Sequence, residues 1–223
     1  MACPASANLE LAIPNWEPPV VDETPAASEG TRKHKMLEPI MSLSATEQEQ
    51  MAKYISYTAG VRRLRRFTSV LVEQKMTAEW LVTKPKTTAD LVLATQDELH
   101  VLDGKWGKIP VPVEHNVQGL FYAVTYAHLA PKAKGAHIHI MQPAIDKFES
   151  WYASADVLAQ FMADALKAEA LLLAGDTTFG PSDSCTFCPA NPHGRGAKGR
   201  PFCPAQMQML YPDKTNEVEI LAL

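Results

Sequence analysis

Two carboxylates and a lysine form the combination of residues in this sequence that is best suited to chemistry on a phosphate. Asp103 ends an apolar run and is followed two positions later by Lys105, while Asp90 begins the preceding apolar run. Two carboxylates together with water supply the oxygen ligands that Mg²⁺ or Mn²⁺ prefers. A lysine two residues from a strand-end carboxylate points to the same face of the strand. The pattern predicts a metal-activated water, with the lysine offsetting charge that builds on a phosphoryl group.

A single acid-x-Lys triplet is weak support, because short motifs recur by chance. The chain contains a second triplet, Glu73-Gln74-Lys75. A hairpin between the two apolar runs brings Asp90 and Asp103 to one end of the sheet, whereas no partner acid is expected for Glu73. The alternative for Asp103 and Lys105 is that they are solvated charges at a strand end.

Polar residues on an expected helix provide further candidates. Gln118 and Tyr122 are four residues apart, so they share one helix face and could contact a phosphate or a base. The opposite, apolar face is expected to consist of Val117, Leu120, Phe121 and Val124. His34 is a further candidate ligand for a metal or a phosphate.

The cysteines are distributed unevenly along the chain. Cys185 and Cys188 form a C-x2-C pair, Cys203 follows, and Cys3 stands alone near the N-terminus. Three thiolates need a fourth ligand or an open coordination position. His193 could complete a Cys3His zinc site, or Cys3 could complete four thiolates around an iron–sulfur cluster. Unliganded thiols are the third alternative.

A run of arginines predicts a phosphate-binding surface. Four arginines occupy five positions at an expected helix end, namely Arg62, Arg63, Arg65 and Arg66. Favourable charge at a helix C-terminus is the alternative explanation. Contacts of arginine with DNA phosphates position a duplex without reading its sequence. Further positive charge near the expected site comes from Lys84, Lys86 and Lys108.

The elements that must position these residues follow from capping signals and hydrophobic periodicity. Helices are expected from Ser44 to Arg63, 115–129 and 154–173, and strands over 69–75, 90–94, 99–103 and 136–142. His137 and His139 share one face of the last strand, either as a metal pair or as histidines satisfied within the fold. This order predicts a single α/β domain with a mixed central sheet flanked by helices.

Composition places the chain among ordinary globular proteins. It has 223 residues, 46% hydrophobic content and a formal net charge of −4, so any nucleic-acid contact must come from a local basic face. The absence of an apolar run of roughly 18 residues, and of a secretory signal, predicts a cytoplasmic protein without membrane contact. The expected divisions are an irregular lead-in over 1–30, a core over 31–180 and a cysteine-bearing segment over 181–223.

In combination, these motifs resemble the RecB-like branch of the PD-(D/E)XK nuclease superfamily, and within it phage-encoded nuclease-like proteins. That branch has a G-x-x-x-H segment, an Asp opening a strand, a D-x-K triplet and a Q-x-x-x-Y helix, in this order. The corresponding residues here are Gly30 and His34, Asp90, Asp103 and Lys105, and Gln118 and Tyr122. The resemblance covers roughly residues 3–205.

The resemblance implies a restriction-endonuclease-like core whose two ends are joined by a metal cluster. It favours a 4Fe–4S cluster, with structural Zn²⁺ as the alternative, on Cys3, Cys185, Cys188 and Cys203. It makes Glu73 an additional acid, so the implied Mg²⁺ or Mn²⁺ ligands are His34, Glu73, Asp90 and Asp103. The implied catalytic residues are Asp90, Asp103, Lys105, Gln118 and Tyr122.

The implied function is a metal-dependent deoxyribonuclease, an exonuclease of phage DNA recombination or processing in the cytoplasm of a bacterial host. DNA is the expected partner, together with a phage single-strand annealing or recombination protein. The alternative is a non-catalytic DNA-binding or scaffolding protein that retains the nuclease fold. A structure-selective endonuclease is a third hypothesis.

Overall fold

The computed structural model describes residues 43–176 and Cys203. The chain divides into two compact units, one of residues 1–22 with 164–223 and the other of residues 23–163. The second unit contains the whole sheet and all of the candidate site that the structure describes. None of the helices in the described part of the chain is both long enough and apolar enough to cross a bilayer.

Five strands form one mixed sheet in the order β1-β2-β3-β4-β5. The strands are β1 (Ser69–Thr77), β2 (Lys86–Ala94), β3 (Leu99–Gly104), β4 (Gly135–Gln142) and β5 (Lys147–Ser154). The helices are α1 (Ala45–Leu64), α2 (Val117–Tyr126) and α3 (Ala155–Leu173). Strands β3 and β4 pair in parallel through the crossover that contains α2, and the other pairs are antiparallel. The predicted α/β class with a mixed sheet flanked by helices is confirmed.

Both faces of the sheet are buried, each against a different helix. One face packs against α2 and presents Val92, Val101 and Ile138. The other packs against α1 and presents Leu93 and Leu102. Because both faces are covered, β3 is buried at all six positions, including the polar residues His100 and Asp103.

Helix α1 begins with the predicted capping box. The Ser44 side chain accepts from the Glu47 backbone N–H at 3.4 Å, and the Glu47 carboxylate accepts from the Ser44 backbone N–H at 2.8 Å. This reciprocal pair satisfies two donors that the first helical turn would otherwise leave without partners. The helix packs through Met51, Thr58 and Val61, which are buried.

The predicted hairpin between β2 and β3 is also confirmed. Thr95 forms its turn: the side-chain oxygen accepts from the backbone N–H groups of Asp97 and Glu98, and the backbone N–H of Thr95 donates to the Glu98 carbonyl at 2.9 Å. The turn sets the register that pairs Leu91 with Leu102. The same register determines which residues face each other at the far end of the hairpin.

Strand β5 was not predicted. Its residues, KFESWYAS, mix charged and aromatic types, and most remain partly exposed because the strand lies at the edge of the sheet. It pairs with the whole of β4, from Gly135 opposite Ser154 to Gln142 opposite Lys147.

The expected ends of two elements were wrong. Helix α2 is shorter than the predicted 115–129. Asn116 caps its start by accepting from the Gly119 backbone N–H at 2.9 Å, and Ala127–Leu129 form a separate 3-10 turn after its end. Asp90 does not open its strand, since β2 begins at Lys86 and Asp90 lies in its middle.

Candidate functional site

The candidate site begins with three carboxylates on adjacent strands. The β1–β2 register pairs Val72 with Leu91 and Gln74 with Ala89, so Glu73 lies opposite Asp90. The β2–β3 register pairs Leu91 with Leu102, so Asp90 and Asp103 occupy the next facing positions. Residues at facing positions of antiparallel strands have neighbouring side chains. The expectation that Glu73 lacks a partner acid was therefore wrong.

Asp103 and Lys105 form the centre of a chain of polar contacts that leads to helix α2. The Lys105 ammonium lies 2.7 Å from Oδ2 of Asp103, and it donates to Oε1 of Gln118 at 2.5 Å. Nε2 of Gln118 then donates to the Tyr122 hydroxyl at 2.6 Å. Two of the predicted motifs, on β3 and α2, are thus joined by direct contacts.

Helix α2 differs from the prediction in which face it buries. Val117 was expected on the apolar face but is 63% exposed, whereas Tyr122 was expected opposite that face and is only 6% exposed. The reason is Gly119, where an added Cβ would lie 2.5 Å from the Ile138 side chain. This close approach turns the Tyr122 side of the helix onto the sheet, with Gln118 at the margin beside Lys105.

Asp90 is anchored to the neighbouring strand. Its Oδ2 accepts from the Gly104 backbone N–H at 2.7 Å. An added Cβ on Gly104 would lie 3.4 Å from that oxygen and 3.0 Å from the Tyr54 ring. Glycine at this position therefore lets a carboxylate and an aromatic ring from two other elements approach the backbone closely.

The carboxylates make this end of the sheet electrically negative. Burial raises the pKa of Tyr54, and the charges of Asp90, Glu73 and Asp103 raise it further. Burial likewise raises the pKa of Tyr122, with Asp103 adding to the effect. Both phenols remain protonated at neutral pH, so both can donate hydrogen bonds. A negative region lined with oxygen ligands suits a hard divalent cation.

The local backbone at Glu73 is strained. Its φ of 48° lies in the left-handed region, which a residue with a side chain rarely adopts within a strand. The strand register is nevertheless unbroken on either side. Strained backbone of this kind is concentrated at functional sites.

The metal-ligating capacity of the site rests on pairs of side chains. Within residues 43–176 and at Cys203, no three His, Cys, Asp or Glu side chains gather closely enough to hold a metal ion. Asp90 and Asp103 remain as a carboxylate pair, and Mg²⁺ commonly uses one or two protein carboxylates and keeps several waters. The predicted ligand His34 lies outside the described residues, as does Gly30.

The four arginines of the predicted phosphate-binding surface have different surroundings in the structure. Arg62, Arg63, Arg65 and Arg66 are all exposed at the end of α1 and just beyond it. Arg65 forms an ion pair with Glu98. Arg62 instead lines a pocket with Glu73 and Asp90. Of the additional lysines, Lys84 pairs with Glu79 at 2.7 Å.

The histidines of β4 face α1, and sequence reasoning missed their third neighbour. His137 and His139 lie on one face, as predicted, and His100 of β3 stacks on His137 with ring centroids 4.5 Å apart. Nε2 of His139 lies 3.1 Å from Nδ1 of His100, and its Nδ1 lies 3.0 Å from the Tyr57 hydroxyl. These contacts correspond to the alternative of histidines satisfied within the fold.

The cysteine predictions fall mostly outside the described residues. Cys3, Cys185, Cys188 and His193 lie there, so the choice between iron–sulfur cluster, zinc and free thiols stays open. Cys203 is described, and it is buried and forms no disulfide with any described residue.

Comparison with known proteins identifies a family, and among the solved structures that match, one illustrates how distant the likeness is. The chain resembles a solved structure titled "Crystal structure of SSO0001" at 12% sequence identity and a TM-score of 0.37, over 83% of this chain and 91% of that one. The profile of the family DUF2800, described as "Protein of unknown function", matches residues 44–222. This match spans most of the chain, which therefore belongs to the DUF2800 family.

Proposed function

We propose that this protein is a metal-dependent deoxyribonuclease of the PD-(D/E)XK type, acting as an exonuclease in phage DNA recombination or processing in the cytoplasm of a bacterial host. The observation that carries the proposal is the assembly of separate motifs at one place. Asp90 and Asp103 occupy facing positions, and Lys105 bridges Asp103 to Gln118, which in turn bonds Tyr122.

The residues at this place fit a divalent cation. Asp103 is 3% exposed and Asp90 is partly buried. Burial raises the pKa values of Tyr54 and Tyr122, and the charges of the two aspartates raise them further. Asp90 and Asp103 would hold Mg²⁺ or Mn²⁺ as a carboxylate pair. The resemblance implies Glu73 and His34 as additional ligands, but His34 lies outside the described residues and Glu73 forms no three-ligand group with the pair in the structure. When bound, such a cation lowers the pKa of water and polarises a phosphoryl oxygen.

The protein's own groups would then act in defined positions. The Asp103 carboxylate holds the Lys105 ammonium by their ion pair, so that it can offset charge building on the phosphate. Gln118 restrains the same ammonium, and the Tyr122 hydroxyl restrains Gln118. The exposed Gln118 side would contact the DNA strand, and the arginines at the end of α1 would contact its phosphates.

A non-catalytic DNA-binding protein is the second candidate, and one observation favours it. The Lys105 ammonium lies 2.7 Å from Oδ2 of Asp103, where it competes with a cation for the carboxylate. If that ion pair holds in solution, metal binding is weak and the fold serves as a DNA-binding scaffold, for example beside a single-strand annealing protein.

Cleavage of end-labelled linear DNA distinguishes these two candidates. Full-length protein is incubated with Mg²⁺ or Mn²⁺ and with duplex, single-stranded or closed circular DNA. We expect metal-dependent degradation of linear DNA that is lost in Asp103→Asn and Lys105→Ala. Asp97→Asn is the matched control, because Asp97 is an exposed carboxylate in the β2–β3 turn. Cleavage unchanged in both site variants contradicts the assignment, and salt-sensitive binding without cleavage supports the scaffold.

A thermal melt with and without Mg²⁺ tests the metal site without relying on activity. We expect Mg²⁺ to raise the melting temperature of the wild type and of Asp97→Asn, but not of Asp103→Asn, because ligand binding to the native state stabilises it. The 4Fe–4S cluster is a separate part of the proposal. The visible spectrum and metal content of anaerobically purified protein test it against zinc and against free thiols.

A further inference from the structure

A small pocket adjoins the carboxylates on the α1 side of the sheet. Its volume is about 240 Å³, and Asp90 and Glu73 form part of its wall. Pockets that hold drug-sized ligands measure roughly 300–1,000 Å³, so this one suits a single ring system. It lies beside the candidate site, because Asp90 belongs to both.

The pocket combines aromatic and apolar surfaces with one positive charge. Tyr54 and Trp106 both line it, and their ring centroids are 5.6 Å apart at an interplanar angle of 33°. Ile55 and Val72 supply apolar wall although they are 45% and 53% exposed. Arg62 is at the wall as well. A flat ring that carries a phosphate matches this combination, because bases stack on aromatic side chains and arginine pairs with phosphate oxygens.

The loop that carries Trp106 is held in place from within the sheet. The buried Gln142 side chain donates to the carbonyls of Gly107 and Ile109 at 3.3 and 2.9 Å. Its Oε1 accepts from the Val111 backbone N–H at 2.7 Å. Trp106 therefore begins a supported segment and is partly buried against Leu43 and Met51, so its ring is held in place as a stacking surface.

We propose that this pocket binds the base of an unpaired terminal nucleotide of DNA, stacked on Trp106, with Arg62 on the phosphate. The inference rests on the proposed function, since it assigns the strand end to a pocket whose wall includes Asp90 of the carboxylate pair. It goes further by naming the part of the substrate that the protein recognises. Because every base has a stacking face, the recognition would be tolerant of sequence.

Equilibrium binding tests the pocket without requiring cleavage. Two single-stranded oligonucleotides carry the same internal fluorescein, and one has abasic residues at both ends. Fluorescence anisotropy is measured with full-length protein in Ca²⁺. We expect the intact oligonucleotide to bind roughly tenfold more tightly than the abasic one, since one stacked base has about that effect.

Variants assign the preference to this pocket. Trp106→Ala should remove the preference and Trp106→Phe should retain part of it. Val72→Trp should also remove it by filling the pocket, whereas Val70→Trp is the matched control, two residues earlier on β1 and outside the pocket lining. Arg62→Ala should weaken binding of both oligonucleotides more than Arg63→Ala, because Arg63 is exposed but does not line the pocket.

The outcomes separate this inference from the proposed function. Equal affinity of the wild type for the two oligonucleotides, or a preference that survives both Trp106→Ala and Val72→Trp, overturns the pocket assignment even if Asp103-dependent cleavage is found. No binding to either oligonucleotide overturns it as well. A preference that these variants abolish, in a protein that cleaves nothing, supports the pocket and removes only the nuclease activity.

Discussion

The histidines on the α1 face make the stability of this protein depend on pH. His100 and His139 are each 4% exposed. Burial, together with the charges of the neighbouring histidines, lowers the pKa of His100 to about 4 and that of His139 to about 3. Burial lowers the pKa of His137 as well. Among the described residues, only the Glu98 carboxylate, 3.8 Å from Nε2 of His100, acts to raise the pKa of His100.

The direction and size of the effect follow from proton linkage. Both folded-state pKa values lie below the ordinary 6.5, so the unfolded state binds more protons and stability falls as the pH drops below about 6.5. At pH 5 protonation stabilises the unfolded state by about 2 kcal/mol for each of these two histidines, whereas the folded state, in which they stay neutral, gains almost nothing. The loss for the pair is about 4 kcal/mol, or roughly 8–16 °C in melting temperature for a chain of this size.

The assay is urea unfolding followed by circular dichroism at pH 7.5 and pH 5. The wild type should lose about 4 kcal/mol more between these pH values than the double variant His100→Gln/His139→Gln. His115→Gln/His128→Gln is the matched control, since both of these histidines are exposed, and it should lose as much as the wild type. If the double variant loses as much stability as the wild type, the buried pair does not stay neutral and the reasoning is refuted.

Three further predictions concern the residues that shape the site. Gly119→Ala should lower the free energy of unfolding by about 1–3 kcal/mol, because the added Cβ would lie 2.5 Å from the buried Ile138 side chain, and a urea midpoint measures it. Gln142→Leu should make the 107–111 segment cleavable by protease at lower urea, since it removes three hydrogen bonds that hold that segment. Glu73→Gly should be at least as stable as the wild type, and Glu73→Val should be less stable by about 1 kcal/mol or more, because φ there is 48°. The opposite order of the two Glu73 variants in a urea titration contradicts a strained backbone at that position.

Much of the site could be predicted because it depends on local signals. The turn at Thr95 needs only a side chain that caps two backbone N–H groups, and such turns are readable in a sequence. Once the turn is placed, the register follows, and Asp90 and Asp103 must face each other. The Gln118–Tyr122 spacing on a helix is equally local, and the two side chains do bond each other.

Other features could not be predicted, because they depend on tertiary packing. The orientation of α2 is set by the contact of Gly119 with Ile138, two residues on different elements. Hydrophobicity alone placed Val117 inside and Tyr122 outside, and both placements were wrong. Strand β5 shows the same limit, since its charged and aromatic residues become a strand only because β4 offers an edge to pair with.

The most informative departure from expectation concerns the two acid-x-Lys triplets. The sequence predicts a partner acid for one triplet and none for the other, yet the sheet places Asp90 opposite Glu73 on one side and opposite Asp103 on the other. The charge of Asp90 also acts on a tyrosine from each side of the site, since it adds to burial in raising the pKa values of Tyr54 and Tyr122. A central carboxylate that is held by the Gly104 N–H can serve the catalytic pair and the pocket at once. Substitution of Asp90 should therefore affect both cation binding and end recognition, whereas substitution of Asp103 should affect the first alone.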